Sequence, residues 1–207
     1  MRRRIYPLLA VVLAVAGCSG GPTDPTPATT AKPPSTTASQ ATTSATTRPT
    51  VAPTVADPVD LTKAYKHPCA TLTAAQQRQL GLPPRVGESA EGSHGMCRWR
   101  KEDAGLLETD YVLLLHLRPD LLAEAYENSN SREADGDPSW VLFEPRVIGG
   151  LPAVVRSFST RADFCEVIVG VGKGQGIRMS GTVHETDPDL CARLVTAAEQ
   201  VVTAVGR

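Results

Sequence analysis

Tyr111-Val112-Leu113-Leu114-Leu115-His116-Leu117-Arg118 is the stretch on which the fold turns. Strand alternation sends Tyr111, Leu113, Leu115 and Leu117 to one face, while Val112 and Leu114 leave the other face largely apolar too. A strand that is apolar on both sides belongs inside a covered sheet, so a helix is expected over its second face. That helix is expected to begin at Pro119, well placed at a first helical position, and to run through Leu121, Leu122, Ala125 and Tyr126. The polar residues 128–139, with Gly136 and Pro138, read as a loop. Working outward, residues 141–148 and 153–158 read as two strands joined through Gly149-Gly150-Leu151-Pro152. Residues 164–171 and 177–184 make a hairpin around Lys173-Gly174-Gln175-Gly176. Upstream, residues 96–101 alternate, with Cys97 and Trp99 on one face and Arg98 and Arg100 on the other. Thr73, with Gln76 three residues on and Gly81 as a stop, brackets a short helix, and residues 81–95 read as loop. The chain closes on a helix capped by Asp187, with Leu190, Cys191, Leu194, Ala198, Val201, Val202 and Val205 in one apolar stripe. Strands in clusters, with helices between and after them, predict an α+β fold: an antiparallel sheet packed against helices.

The chain has 207 residues. Residues 1–17 are Arg2-Arg3-Arg4, an apolar run to Ala16 and Gly17, the pattern of a secretory signal too short to span a bilayer stably. The cysteine that follows the small pair Ala16-Gly17 resembles a bacterial lipobox. Cys18 is then expected to carry diacylglycerol on sulfur and to become the N-terminus. Residues 18–58 form a tether of Thr, Pro, Ala and Ser with few charges, too poor in apolar surface to offset its ordering entropy. Its reach lies between roughly 40 Å as a coil and about 120 Å fully extended. Residues 59–207 form the folded domain, long enough to bury a core.

With Cys18 acylated, Cys69, Cys97, Cys165 and Cys191 remain as an even set for an oxidising compartment. Three pairings are possible. Cys69–Cys97 and Cys165–Cys191 are favoured, each closing a loop worth roughly 3–3.5 kcal/mol in the chain-entropy treatment. A four-cysteine zinc site would need closely spaced ligand pairs, which the sequence lacks. Residues 59–207 carry 16 Lys and Arg against 20 Asp and Glu. That balance supplies no basic stripe for nucleic acid or anionic head groups, so membrane contact falls to the lipid anchor.

His67-Pro68-Cys69 with Leu72-Thr73, Cys97-Arg98-Trp99, Gly150-Leu151-Pro152-Ala153, Cys165 in a strand and Asp187-Pro188-Asp189-Leu190-Cys191 occur here in one order. In that order they resemble the actinobacterial lipoproteins that carry the domain of unknown function 3558. The resemblance covers the chain from about residue 60 to the end, with the lipobox and tether ahead of it. It departs at His67, where the family more often has an acidic residue. It implies a cell-envelope location on the outer face of the membrane and a fold similar to the Mog1/PsbP-like sandwich, without an activity or agreed site residues.

Nucleophilic catalysis needs a Ser or Cys beside an oriented base. The cysteines are expected to be paired, and Ser180 before Gly181 lies mid-strand, where no nucleophile elbow forms. His67, His94, His116 and His184 are far apart in sequence, with no metal-binding pair on a helix. Gly170, Gly172, Gly174 and Gly176 lead into a strand rather than a helix N-terminus, so they read as a hairpin turn and not a phosphate cradle. Glu102-Asp103 and Asp135-Gly136-Asp137 lack the ligand spacing of a calcium loop. Trp99, two residues from a disulfide cysteine, reads as core. Trp140 at a loop–strand junction, with the 149–152 connection, is the candidate border of a ligand groove. No catalytic residue, cofactor or metal is expected. The leading expectation is a non-catalytic, lipid-anchored module that binds an envelope protein, lipid or glycan. The alternatives are an accessory lipoprotein docking onto a membrane complex and an unrecognised enzyme.

Overall fold

A computed structural model of the chain describes residues 50–103, 106–118, 120–134 and 141–206. Cys18 and Trp140 lie outside the described residues, as do Pro119 and Asp135-Gly136-Asp137.

Seven strands form one antiparallel sheet: β1 (Arg85–Glu91), β2 (His94–Asp103), β3 (Leu106–His116), β4 (Leu142–Ile148), β5 (Leu151–Ser157), β6 (Phe164–Gly172) and β7 (Gln175–Thr182). Their spatial order is β1-β2-β3-β7-β6-β5-β4. Strand β3, the two-faced stretch, lies near the middle, paired with β2 and β7. Helices α1 (Ala74–Gln79), α2 (Leu121–Ala134) and α3 (Leu190–Val205) complete the α+β architecture, with short 3-10 turns at Ala64–Lys66 and Pro68–Thr71.

The first face of the sheet carries the main core. Trp99, Tyr111, Leu113, Leu115, Val167, Val169, Ile177 and Met179 are buried there with Leu194, Ala198 and Val201 of α3. Each such aliphatic contributes about 1.5–3 kcal/mol by leaving water. Trp99 is fully buried, its Nε1 donating to Gln77 Oε1 at 3.1 Å, so it is core as its strand position predicted. Gln77 is held in turn by α1, whose Thr73 and Gln76 form the expected reciprocal cap. The two disulfides are Cys69–Cys97 and Cys165–Cys191, tying the Pro68–Thr71 turn to β2 and β6 to α3.

Helix α2 covers part of the second face, packing on β5, β6 and β7. Leu122, Ala125 and Tyr126 bury Val154 and Ile168. Gly170 and Gly176 face each other across β6 and β7, and α2 sits directly on them. A Cβ at Gly170 would lie 2.8 Å from Leu122 Cδ2. These two glycines seat the helix, while Gly172 (φ +87°), Lys173 (φ 55°) and Gly174 (φ +68°) make the turn itself.

Several elements differ from their sequence reading. Residues 85–91, read as loop, are the edge strand β1, paired with β2 and bulged between Arg85 and Gly87. Helix α2 continues through 128–134, which read as loop. Asp120 Oδ1 accepts from Ala123 N at its start, and Ser131 Oγ donates to Glu127 O within it. Helix α3 starts at Leu190 rather than straight after Asp187, whose carboxylate accepts from Asp189 N at 3.1 Å. Residues 50–58, read as tether, lie against the folded domain. Asn130 Nδ2 donates to Thr50 O, Pro58 abuts Gly172, and Val59 N donates to Val171 O at 2.8 Å. The opposite edge strand, β4, carries Pro145, which removes a donor where the sheet ends.

Candidate functional site

Helix α2 packs on β5, β6 and β7 and not over β3, where the sequence placed it, so Val112 and Leu114 stay half-buried on a second face whose charges pair among themselves. Glu166, 1% exposed, accepts from the Arg156 Nε and forms an ion pair with Arg178. Beside it Arg98 Nε donates to Asp110 Oδ1 at 2.8 Å, and Arg100 lies 3.7 Å from the same carboxylate. These pairs account for the ionisable residues that alternation placed opposite the core.

At the far end of this face His94 and His116, paired across β2 and β3, stack with ring centroids 5.8 Å apart. Burial pushes the His116 imidazole below its ordinary pKa, and neighbouring His94 and Arg178 push the same way. A folded-state pKa below the unfolded value means that the unfolded chain binds more protons as pH falls. Stability is therefore lost from about pH 6.5 downward, the ordinary value, until His116 is fully protonated in the native state too. His116→Gln is expected to flatten the fall in urea midpoint between about pH 7 and pH 5 relative to the wild type. Equal slopes for the two proteins would remove this assignment.

A pocket lies on the other face, where the start of β3 meets the β7–α3 loop and the first turns of α3. It is a half-open cavity of about 550 Å³. Tyr111 stands at its wall. In the register Tyr111 is opposite Gly181, and a Cβ there would lie 3.0 Å from the Tyr111 ring and from Leu190. The glycine gives the ring its room. The side chain is 1% exposed, and its hydroxyl accepts from Arg193 Nη1 at 2.8 Å. Arg193 Nη2 donates to Asp187 Oδ2 at 2.7 Å, so one guanidinium clamps the loop to the strand. Asp187 is itself fixed, its N–H donating to Ala162 O at 3.2 Å.

Burial pushes the Tyr111 phenol above its usual range, outweighing the nearby Arg193 cation, so the group is protonated at neutral pH. A phenol can donate one hydrogen bond while accepting others. Arg193 uses the acceptor side; among the described residues no acceptor takes the hydroxyl's own proton. Lys101, Thr109, His184 and Thr186 line the cavity around it, with Glu185 and Asp187. The arrangement can hold a polar molecule by hydrogen bonds.

Two other depressions are present. One of about 620 Å³, between Asp60, Lys63, His67 and the end of α3, holds Asp60, whose carboxyl is drawn below the usual range chiefly by the Thr62 hydroxyl. Another of about 630 Å³ lies between residues 50–55 and α2. No group of three His, Cys, Asp or Glu side chains converges to hold a metal among the described residues.

Of the residues singled out from sequence, the four cysteines stand in the two favoured pairs, and Ser180 lies within β7 between Val112 and Glu166. The 149–152 connection is a turn exposed at Gly149 and Gly150 and buried at Leu151, and it lines none of these three pockets. Gly149, at φ +58°, would with a Cβ meet Val202 Cγ1 at 2.6 Å, and Leu151 is 6% exposed. Sequence reasoning missed the pocket, whose bonded pair Tyr111 and Arg193 is 82 residues apart. Its signal was the run 187–193, where two acids and an arginine interrupt an apolar helix start.

No curated protein and no solved structure matches the chain. A family model does match, over residues 13–204, nearly the whole length. The chain therefore belongs to the family described as a protein of unknown function, DUF3558.

Proposed function

We propose that this chain is a non-catalytic binding module of the cell envelope, held on the outer face of the membrane by a lipid on Cys18, which takes a small polar ligand in the Tyr111–Arg193 pocket. In this reading residues 1–17 are removed as a signal. The family match supports it by reaching back to residue 13, and so including Leu13 to Cys18 with the folded domain.

The observation that carries the binding reading is the Tyr111 hydroxyl, a protonated donor on a 1% exposed side chain at the wall of a polar cavity. Arg193 uses the acceptor side of this hydroxyl, so a molecule that offers it an acceptor gains one further hydrogen bond, about 0.5–1.5 kcal/mol. The tether joins along α2 near the β6–β7 turn, whereas the pocket opens where β7 ends, roughly 23 Å away along eight residues of strand. Docking as an accessory subunit has less support. Of the exposed apolar side chains, Val141 and Phe158 fall side by side where β4 begins and β5 ends, while Val51, Val86 and Val147 are distributed over residues 50–58 and the two sheet edges.

Two variants test the reading. Cys18→Ala is expected to leave the signal uncleaved by lipoprotein processing and to move the protein out of the detergent phase on partitioning. The diacyl anchor alone suffices for stable attachment, so high salt is not expected to release the wild type. For the pocket, native protein and Arg193→Ala are purified from detergent-solubilised envelopes and their co-purifying small molecules compared by mass spectrometry. A species present with the wild type and depleted with Arg193→Ala is expected. Identical co-purification profiles would contradict the assignment of the pocket.

A further inference from the structure

The chemistry lining the pocket narrows its ligand to one class. We infer that it takes a neutral saccharide unit; this rests on the pocket being the working site. The charged groups at its wall are balanced, with Lys101 and Arg193 against Glu185 and Asp187. Arg193 and Asp187 are bonded to each other, so the wall presents no single sign of charge. A ligand with a bare carboxylate or phosphate meets Glu185 and Asp187, and one with a bare ammonium meets Lys101 and Arg193. Neither gains what a single-signed pocket offers.

A sugar hydroxyl, by contrast, donates one hydrogen bond and accepts others, and needs neighbours of both kinds. The pocket supplies them side by side. Lys101 and Arg193 donate, Glu185 and Asp187 accept, and Thr109 and Thr186 do either. Tyr111 donates the proton that Arg193 leaves unused. Arg193 spans Asp187 and the Tyr111 hydroxyl at 2.7 and 2.8 Å, holding a carboxylate and a phenol fixed before any ligand arrives. Such preorganised donor–acceptor pairs lower the ordering cost of binding. Val183 and Pro188 add the apolar surface on which the C–H face of a pyranose can rest. The half-open shape, about 550 Å³, lies within the usual range of small-molecule sites and admits the end of a longer glycan without enclosing it.

The test is a two-dimensional amide NMR titration of the full-length mature chain in polyoxyethylene alkyl-ether micelles, whose head groups carry neither sugar nor charge. The probes are maltose, trehalose, galactobiose and chitobiose as neutral saccharides, galacturonate and inorganic phosphate as anions, and glucosamine as a cation. At least one neutral disaccharide is expected to shift the amides of Thr109, Tyr111, His184, Thr186 and Arg193 saturably. Tyr111→Phe, which keeps the ring, is expected to weaken that binding about tenfold, the equivalent of one hydrogen bond. Shifts at these amides with galacturonate, phosphate or glucosamine but with none of the neutral sugars would overturn the saccharide inference and leave the pocket standing. Shifts confined to other parts of the domain, or none with any probe, would overturn the pocket reading together with the inference.

Discussion

Cys165→Ser is expected to lower the unfolding free energy by about 2–5 kcal/mol, and Cys191→Ser by the same amount, because either change opens the same bond. The disulfide joins β6, in the interior of the sheet, to the first turn of α3, with a sequence separation of 26. Opening it restores conformations to the unfolded chain, and it loosens the helix whose Leu194, Ala198 and Val201 close the main core. Domains of this kind are stable by only about 5–15 kcal/mol, so this one change removes a large share of the total. Urea denaturation of the single and double variants measures it. The double variant should lose no more than either single. Additive losses would mean that the two sulfurs act separately.

Glu166→Leu is the second large effect, expected at about 3–5 kcal/mol, the usual cost of breaking a buried ion pair from one side. The carboxylate is 1% exposed and sits between Arg156 and Arg178. The two arginines are not equivalent. The Arg178 side chain, 38% exposed, can swing into water, whereas Arg156, at 11%, loses a buried counter-charge. The double variant Glu166→Leu/Arg156→Leu is therefore expected to recover part of the loss, and Glu166→Leu/Arg178→Leu to recover less. A Glu166→Leu protein within about 1 kcal/mol of the wild type would show that the cluster contributes nothing net.

Much of the fold was legible because its elements obey local rules. The alternation in 111–118, the reciprocal cap at Thr73 and the apolar stripe of α3 each carry a periodicity that one sequence displays. What was not legible came from tertiary pairing. Strand β1 has no apolar alternation, since its side chains are exposed or half-buried, and it exists through its hydrogen bonds to β2. The second half of α2 is Asn128-Ser129-Asn130-Ser131, poor helix formers that favour turns. There Ser129 is buried, and Asn130 holds the arm at Thr50, so packing overrides propensity. The same Asn130 contact carries the ordered chain back past Val59, into a Pro- and Thr-rich stretch that composition alone assigns to the tether.

The histidine pair was within reach of the sequence. From Lys101↔Thr109 back to His94↔His116 the β2–β3 partners keep one register, so aligning Cys97 with Leu113 would have set the two histidines opposite each other. The pocket was not. Tyr111 reads as one of four apolar strand residues, and only the crossing of α3 over β3 brings Arg193 to its hydroxyl. Trp140, the residue that sequence favoured for a ligand border, lies outside the described residues.

The most direct test of the account is to measure Tyr111→Phe for stability and for binding on the same sample. The ring, which packs the core beside Gly181 and Leu190, is retained, and only the hydroxyl is lost. Arg193 keeps its bond to Asp187, so the expected fall in unfolding free energy is at most about 1–2 kcal/mol. Retention of the species that co-purifies with the wild type, or of the sugar that binds it, is expected to fall about tenfold. Unchanged retention with an unchanged fold would contradict the claim that the Tyr111 hydroxyl faces a ligand.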